Sequence, residues 1–294
     1  MTPDSGAPGT EDLDTAALAV VARLRNRFRG ALLGLALGEA LAAPAQLLKR
    51  GSFTPVRDLL GGGPFDLPPG VWTDDTALAL HVARSLLECG CCDVADQLAR
   101  FQRWQRTGEG SPVGECLGIS ASVSRALVDG TAGSSFADGA DSLVRTIPLA
   151  LWHFADAEGL RRDTAAVVAV TSHESATRMV AIEFAMLLLS ALRGGSRIDA
   201  PTDASPACAA ARLLDEVRTA VNGATSWKEA VLRAVNEGGD ADVRAAAAGA
   251  LAGAIFGVDS IPAGWLAALA ERAAIEDIAD ALLAETLVRL EAEG

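Results

Sequence analysis

The chain has 294 residues, half of them apolar, and sets 25 basic against 38 acidic side chains for a net charge of −13. That length and apolar share suffice for one large core, while the negative balance works against sequence-independent contact with nucleic-acid phosphates or an anionic membrane surface. Residues 1–24 are expected to form a flexible acidic tail and residues 25–294 one domain; the first 14 residues lack the basic and apolar regions of a secretion signal, so a cytoplasmic location is expected.

In chain order, residues 30–48 are the most hydrophobic stretch, close to membrane-span length, but Glu39, Pro44, Gln46 and three glycines make a buried core helix the better expectation. Gly30, Gly34 and Gly38 recur every four residues and share one helix face, where the missing side chains let another helix come close. Turn chemistry marks 61–64 and 67–70, and the spacing predicts a helix over 77–87. Cys89, Cys91, Cys92, Cys116 and Cys208 form no zinc spacing and are odd in number, so they are expected as small buried apolar side chains. Further loops are expected at 108–112, 130–139 and 193–206, and further helices over 165–192, 208–221 and 275–290. Gly249, Gly253 and Gly257 echo the first glycine set, again for packing. Alternating strands are nearly absent, and an all-α bundle follows.

Two acidic segments stand out, Trp72-Thr73-Asp74-Asp75-Thr76 and Gly238-Gly239-Asp240-Ala241-Asp242. Each is what a helix start looks like, with a hydroxyl cap or permissive glycines followed by acids that complement the positive end of the helix dipole. Brought together, they would also offer the all-oxygen donor set that a hard divalent cation requires. Trp72 is expected to anchor its loop by burial.

At this point the chain resembles the ADP-ribosylglycohydrolase family. The resemblance rests on the Arg29-Gly-Ala-Leu-Leu-Gly-Leu-Ala-Leu-Gly38 helix, the Thr-Asp-Asp turn, Thr171-Ser172-His173, the Gly-Gly-Asp-x-Asp turn with Gly249 and Gly253, and the closing Ile261-Pro262 with Trp265. It implies a single-domain orthogonal helical bundle holding one or two magnesium or manganese ions, with Thr73, Asp74, Asp75, Asp240 and Asp242 as ligands. It further implies Glu39 and Asp75 in catalysis and Gly118, Arg145 and His173 against the substrate, an ADP-ribosylated protein or a smaller ADP-ribosyl or ribosyl ligand. The reaction would be hydrolysis of the glycosidic bond between ADP-ribose and a side chain.

Four positions depart from the family pattern, the mildest being Glu39, where Asp is usual and a carboxylate is kept. Val243 stands where the second turn usually continues with a hydroxyl residue, and an isopropyl group cannot ligate a cation. Gln46 stands where a Glu is usual and cannot act as a base, while Asp141 falls within the segment that normally cradles a diphosphate. These changes leave open an alternative: a catalytically impaired relative that binds an ADP-ribose-like ligand or a partner, or a glycohydrolase for a different ribosyl substrate.

Overall fold

Alanine and leucine lose little freedom on entering a helix, and they fill the long segments of this chain. The computed structural model describes residues 10–129, 139–196, 198, 206 and 208–293, and among them every extended regular element is helical, apart from two isolated β-bridges. The helices are α1 (Thr10–Ala42), α2 (Asp74–Cys89), α3 (Val94–Thr107), α4 (Ala121–Asp129), α5 (Ile147–Trp152), α6 (Ala157–Ala169), α7 (Ser175–Leu192), α8 (Ala209–Val221), α9 (Trp227–Val235), α10 (Ala241–Phe256), α11 (Ala263–Ala268) and α12 (Arg272–Glu293).

At the centre α1 packs against α10, the most extensive pairing in the fold. The glycine sets do the packing expected of them, except that Gly257 lies just past the end of α10 at φ 78° rather than on its face. A Cβ on Gly34 would lie 2.2 Å from the carbonyl oxygen of Gly249, and one on Gly253 would lie 1.9 Å from that of Gly30, so any side chain would force the two backbones apart. Glycine inside a helix costs about 1 kcal/mol relative to alanine; here the close approach offsets it by burying residues 31–42 and 245–254 almost completely. The Trp227 indole seals the contact by donating to the Gly249 carbonyl at 2.9 Å. On another side of α1, Arg29 reaches Asp280 at 2.7 Å and Glu276 at 3.0 Å, clamping α12 and holding the Asp280 carboxyl well below the usual carboxylate range.

Three expectations need correction. The first helix begins at Thr10, so residues 10–24 are helical rather than tail, because no Pro or Gly interrupts the Ala-, Leu- and Arg-rich run leading to Arg29. The helix expected over 165–192 is two helices, α6 and α7. The β-branched Val167, Val168, Val170 and Thr171 weaken the helix locally, and the chain leaves it through tightened bonds such as Thr171 N–H to Val168 at 3.2 Å. The cysteines are all free thiols but none is buried: Cys89 and Cys91 are exposed, and Cys92, Cys116 and Cys208 are half-buried. The first three fall at the C-terminal end of α2 and just beyond it, where only Cys92 packs against the core.

Candidate active site

The first acidic turn is organised from a distance. Glu39, in the last turn of α1, is buried and directs both carboxylate oxygens at the start of α2. Oε1 accepts from the Thr73 N–H at 2.9 Å, the Thr73 hydroxyl at 2.6 Å and the Asp75 N–H at 3.3 Å, while Oε2 accepts from the Thr76 N–H at 3.0 Å and the Thr76 hydroxyl. A carboxylate at a helix N-terminus satisfies otherwise orphaned donors and lies at the positive end of the dipole. Thr73 therefore does not cap α2 with its own side chain, as the sequence suggests; its hydroxyl is turned to Glu39, with Asp74 Oδ1 at 3.2 Å. Trp72 anchors the preceding loop as expected, fully buried with its indole donating to Ala270 at 3.0 Å.

The second turn is held by the chain that follows α1. Gly238 and Gly239 adopt φ of 69° and 62°, which bends the backbone sharply into α10. Gly239 exchanges backbone hydrogen bonds with Leu47 at 2.8 Å and Leu48 at 2.7 Å, and Gly238 bridges to Lys49. Arg244, one turn into α10, donates back to the Gly238 carbonyl at 2.7 Å and pairs with Glu216 at 2.7 Å. Gln46 Nε2 donates to Asp242 Oδ2. Residues 39–49 thus hold both turns, Glu39 the first and Gln46 to Lys49 the second.

Between the turns lies a cleft of about 250 Å³ whose walls include Asp74, Asp75, Asp141, Asp240 and Asp242, with Gln46, Gly118, Ser120 and Val243. Burial first, then the charges of Glu39, Asp242 and Asp141, hold the Asp74 carboxyl well above the carboxylate range; burial and then Asp74 do the same to Asp75. Burial pushes Asp242 up to about 6. Leu47 and Phe65 form an apolar lip, and Leu47 holds a left-handed φ of 63°, a strained backbone stabilised by its bond to Gly239. A larger hollow of about 380 Å³ lies between Arg50, Arg212, Glu216 and Glu237, but its charges are of both signs and largely paired, as Arg50 is with Glu237 at 2.8 Å.

The structure brings together Asp74, Asp75, Asp240, Asp242 and Gly118. Gly118, at φ +87°, leaves room for Asp74, whose Oδ1 would lie 2.1 Å from any Cβ there. Glu39 and Thr73 stand directly behind this wall. Two expected substrate contacts are not part of the wall. Arg145 is fully buried, with Nη1 donating to Thr171 at 2.7 Å, Nη2 facing Asp141 at 3.4 Å and Nε left without a partner, and His173 is exposed in the break between α6 and α7. Residues 130–138, nearly all of the loop expected at 130–139, lie outside the described residues, while Gly139, Ala140 and Asp141 of the expected phosphate-cradling segment are described. Sequence reasoning passed over Ser120, Leu47 and Phe65; only Ser120, two residues past Gly118, carried a signal in its spacing.

The donors fit a hard divalent cation in kind: oxygen only, with several carboxylates, of which Asp74 and Asp75 are held above the usual range first by burial and then by neighbouring negative charge. Among the described residues no three His, Cys, Asp or Glu side chains are already drawn into a cage; the carboxylates line the walls.

Comparison with known proteins agrees with this architecture. The family model described as ADP-ribosylglycohydrolase matches residues 21–225 and 207–291. The ADP-ribosylarginine hydrolase Tri1 of Serratia proteamaculans (strain 568) is 29% identical over 96% of this chain and 82% of its own length. The ADP-ribosyl-[dinitrogen reductase] glycohydrolase of Rhodospirillum rubrum is 29% identical over 84% and 91%. A solved structure titled ADP-ribosylglycohydrolase-related protein complex superposes with a TM-score of 0.75 at 32% identity, covering 90% of this chain and 99% of that one. An all-α fold with paired acidic turns facing one cleft, matched along nearly its whole length, places the chain in the ADP-ribosylglycohydrolase family.

Proposed function

We propose that the protein hydrolyses the glycosidic bond between ADP-ribose and a protein side chain, with arginine as the first acceptor to test because the Serratia relative is named for that linkage. The observation that carries this reading is the meeting of Asp74, Asp75, Asp240 and Asp242 in one cleft. Magnesium or manganese, held by those four carboxylates with the Thr73 hydroxyl, would supply Lewis-acid polarisation of the ribose oxygens and a stronger nucleophile from water. Gln46 engages Oδ2 of Asp242 and leaves its Oδ1 to join such a set.

The remaining work falls to this chain's own groups. Asp75 stands at the cleft on the first turn of α2, where an ionised carboxylate can accept a proton from a water aimed at the anomeric carbon. Glu39, with its oxygens engaged by five donors, acts as a positioning residue that fixes Asp74 and Asp75. The lip of Leu47 and Phe65 offers flat apolar surface for a sugar or base face.

The test is release of ADP-ribose from an arginine-ADP-ribosylated protein by the full chain with magnesium or manganese. Turnover that falls at least about 100-fold in Asp75→Asn supports the reading; no release, or release undiminished in that variant, sinks it. Gln46 bound to Asp242 and Val243 in the cleft wall favour a second reading, a relative that binds ADP-ribose without turnover. Tight ADP-ribose binding with no hydrolysis would select it.

A further inference from the structure

Asp141 has no part in the chemistry proposed above, yet it faces the same cleft. Its Oδ2 accepts from the Ser120 hydroxyl at 2.8 Å, and its Oδ1 faces the Arg145 guanidinium at 3.4 Å. Ser120 is itself tied to Ser122 at 3.0 Å. The carboxylate is thus fixed from two sides, in a wall shared with Ser120 and Ala140. Among the described residues Arg145 is the cation behind this wall, but it is fully buried, with Nη1 on the Thr171 hydroxyl, Nη2 facing Asp141, Nε without a partner and Phe101 5.8 Å away. It pairs with Asp141 from inside the core and is not among the residues that line the cleft. Among the described residues, the cleft wall includes no Lys, Arg or His to meet an anion.

From this we infer that Asp141 is a specificity-determining residue: it weakens the binding of ligands that bring an anionic group to the Ser120–Ala140 wall and favours those that bring a hydrogen-bond donor or a cation there. The inference deepens the proposed function and rests on it in one respect, that the glycoside occupies this cleft. A carboxylate and a phosphate oxygen a few ångströms apart in a half-buried cleft repel strongly enough to cost at least about 10-fold in affinity. An acceptor guanidinium, or the hydroxyls and amino group of a nucleoside, is not penalised.

Calorimetry on the full chain in magnesium buffer, with ADP-ribose as the anionic probe and adenosine as a neutral one, tests this. Asp141→Asn is expected to bind ADP-ribose at least about 10-fold more tightly while adenosine affinity stays within about twofold. An unchanged or weaker ADP-ribose affinity, or an equal gain for adenosine, overturns the inference. Because the substitution removes the nearest counter-charge of the buried Arg145, the unaltered protein supplies a second measurement. Raising salt from about 50 to about 300 mM screens repulsion and is expected to tighten ADP-ribose binding about twofold; a several-fold weakening overturns the inference without any variant. The two proposals fail separately. Absent turnover alongside the Asp141→Asn gain removes the hydrolase reading and leaves this inference standing, while turnover without the gain does the reverse.

Discussion

The two acidic turns face the same cleft but are held in different ways. The first is fastened by a buried carboxylate, Glu39, that receives five hydrogen bonds inside the core. The second hangs on backbone pairing with a surface segment, residues 47–49, on the amide of Gln46 against Asp242, and on a single buried bond from Arg244 to the Gly238 carbonyl. The difference teaches where this site can vary. The first turn cannot change without unsettling the core, whereas the second can lose a hydroxyl at Val243 or a charge at Gln46 and still fold.

The comparison breaks first at Glu39. Glu39→Ala strands several buried donors at the start of α2, and although it relieves repulsion on Asp74, a net loss of about 3–5 kcal/mol is expected in denaturant unfolding. An unchanged stability would mean that Glu39 is not the anchor. Next, α2 also carries His81, buried with Nε2 3.0 Å from the Glu109 carbonyl and pushed down to about 4 by burial and then by Arg84. The unfolded chain takes up this proton first, so the contribution of neutral His81 is full above about 6.5 and is lost as pH falls towards 4, roughly 2–4 kcal/mol in all. Unfolding curves at neutral pH and near pH 4.5 should separate the wild type from His81→Gln by that margin, and a parallel acid response in both would remove His81 as the cause. The smallest effect belongs to the second turn: Gln46→Ala is expected to shift stability by less than about 1 kcal/mol. A larger loss, read in the same unfolding curves, would erase the contrast between the turns.

The helical class was legible because alanine and leucine at helical spacing carry it locally, and the glycine faces of α1 and α10 announced a close contact that the structure contains. The paired acids were legible as helix starts. What capped the first of them was not, since Thr73 is the local candidate and Glu39 acts from 34 residues away. Nor was the break after α6, where β-branched residues compete with an otherwise helical pattern. Arg145 shows the limit most plainly: a cation beside a ligand-binding segment invites a ligand role, and only the structure reveals that it is fully buried behind Asp141.

The glycine-lined seam between α1 and α10 also has a temporal consequence. Glu39 and Gln46 belong to the beginning of the chain, while Asp240 and Asp242 open a helix that is complete only at Phe256. Contacts between parts so distant in sequence form slowly, because the intervening chain must be ordered first. A ribosome-bound chain that has not yet released α10 therefore has one acidic turn and no opposing wall, so the cleft is assembled only once most of the protein has been made.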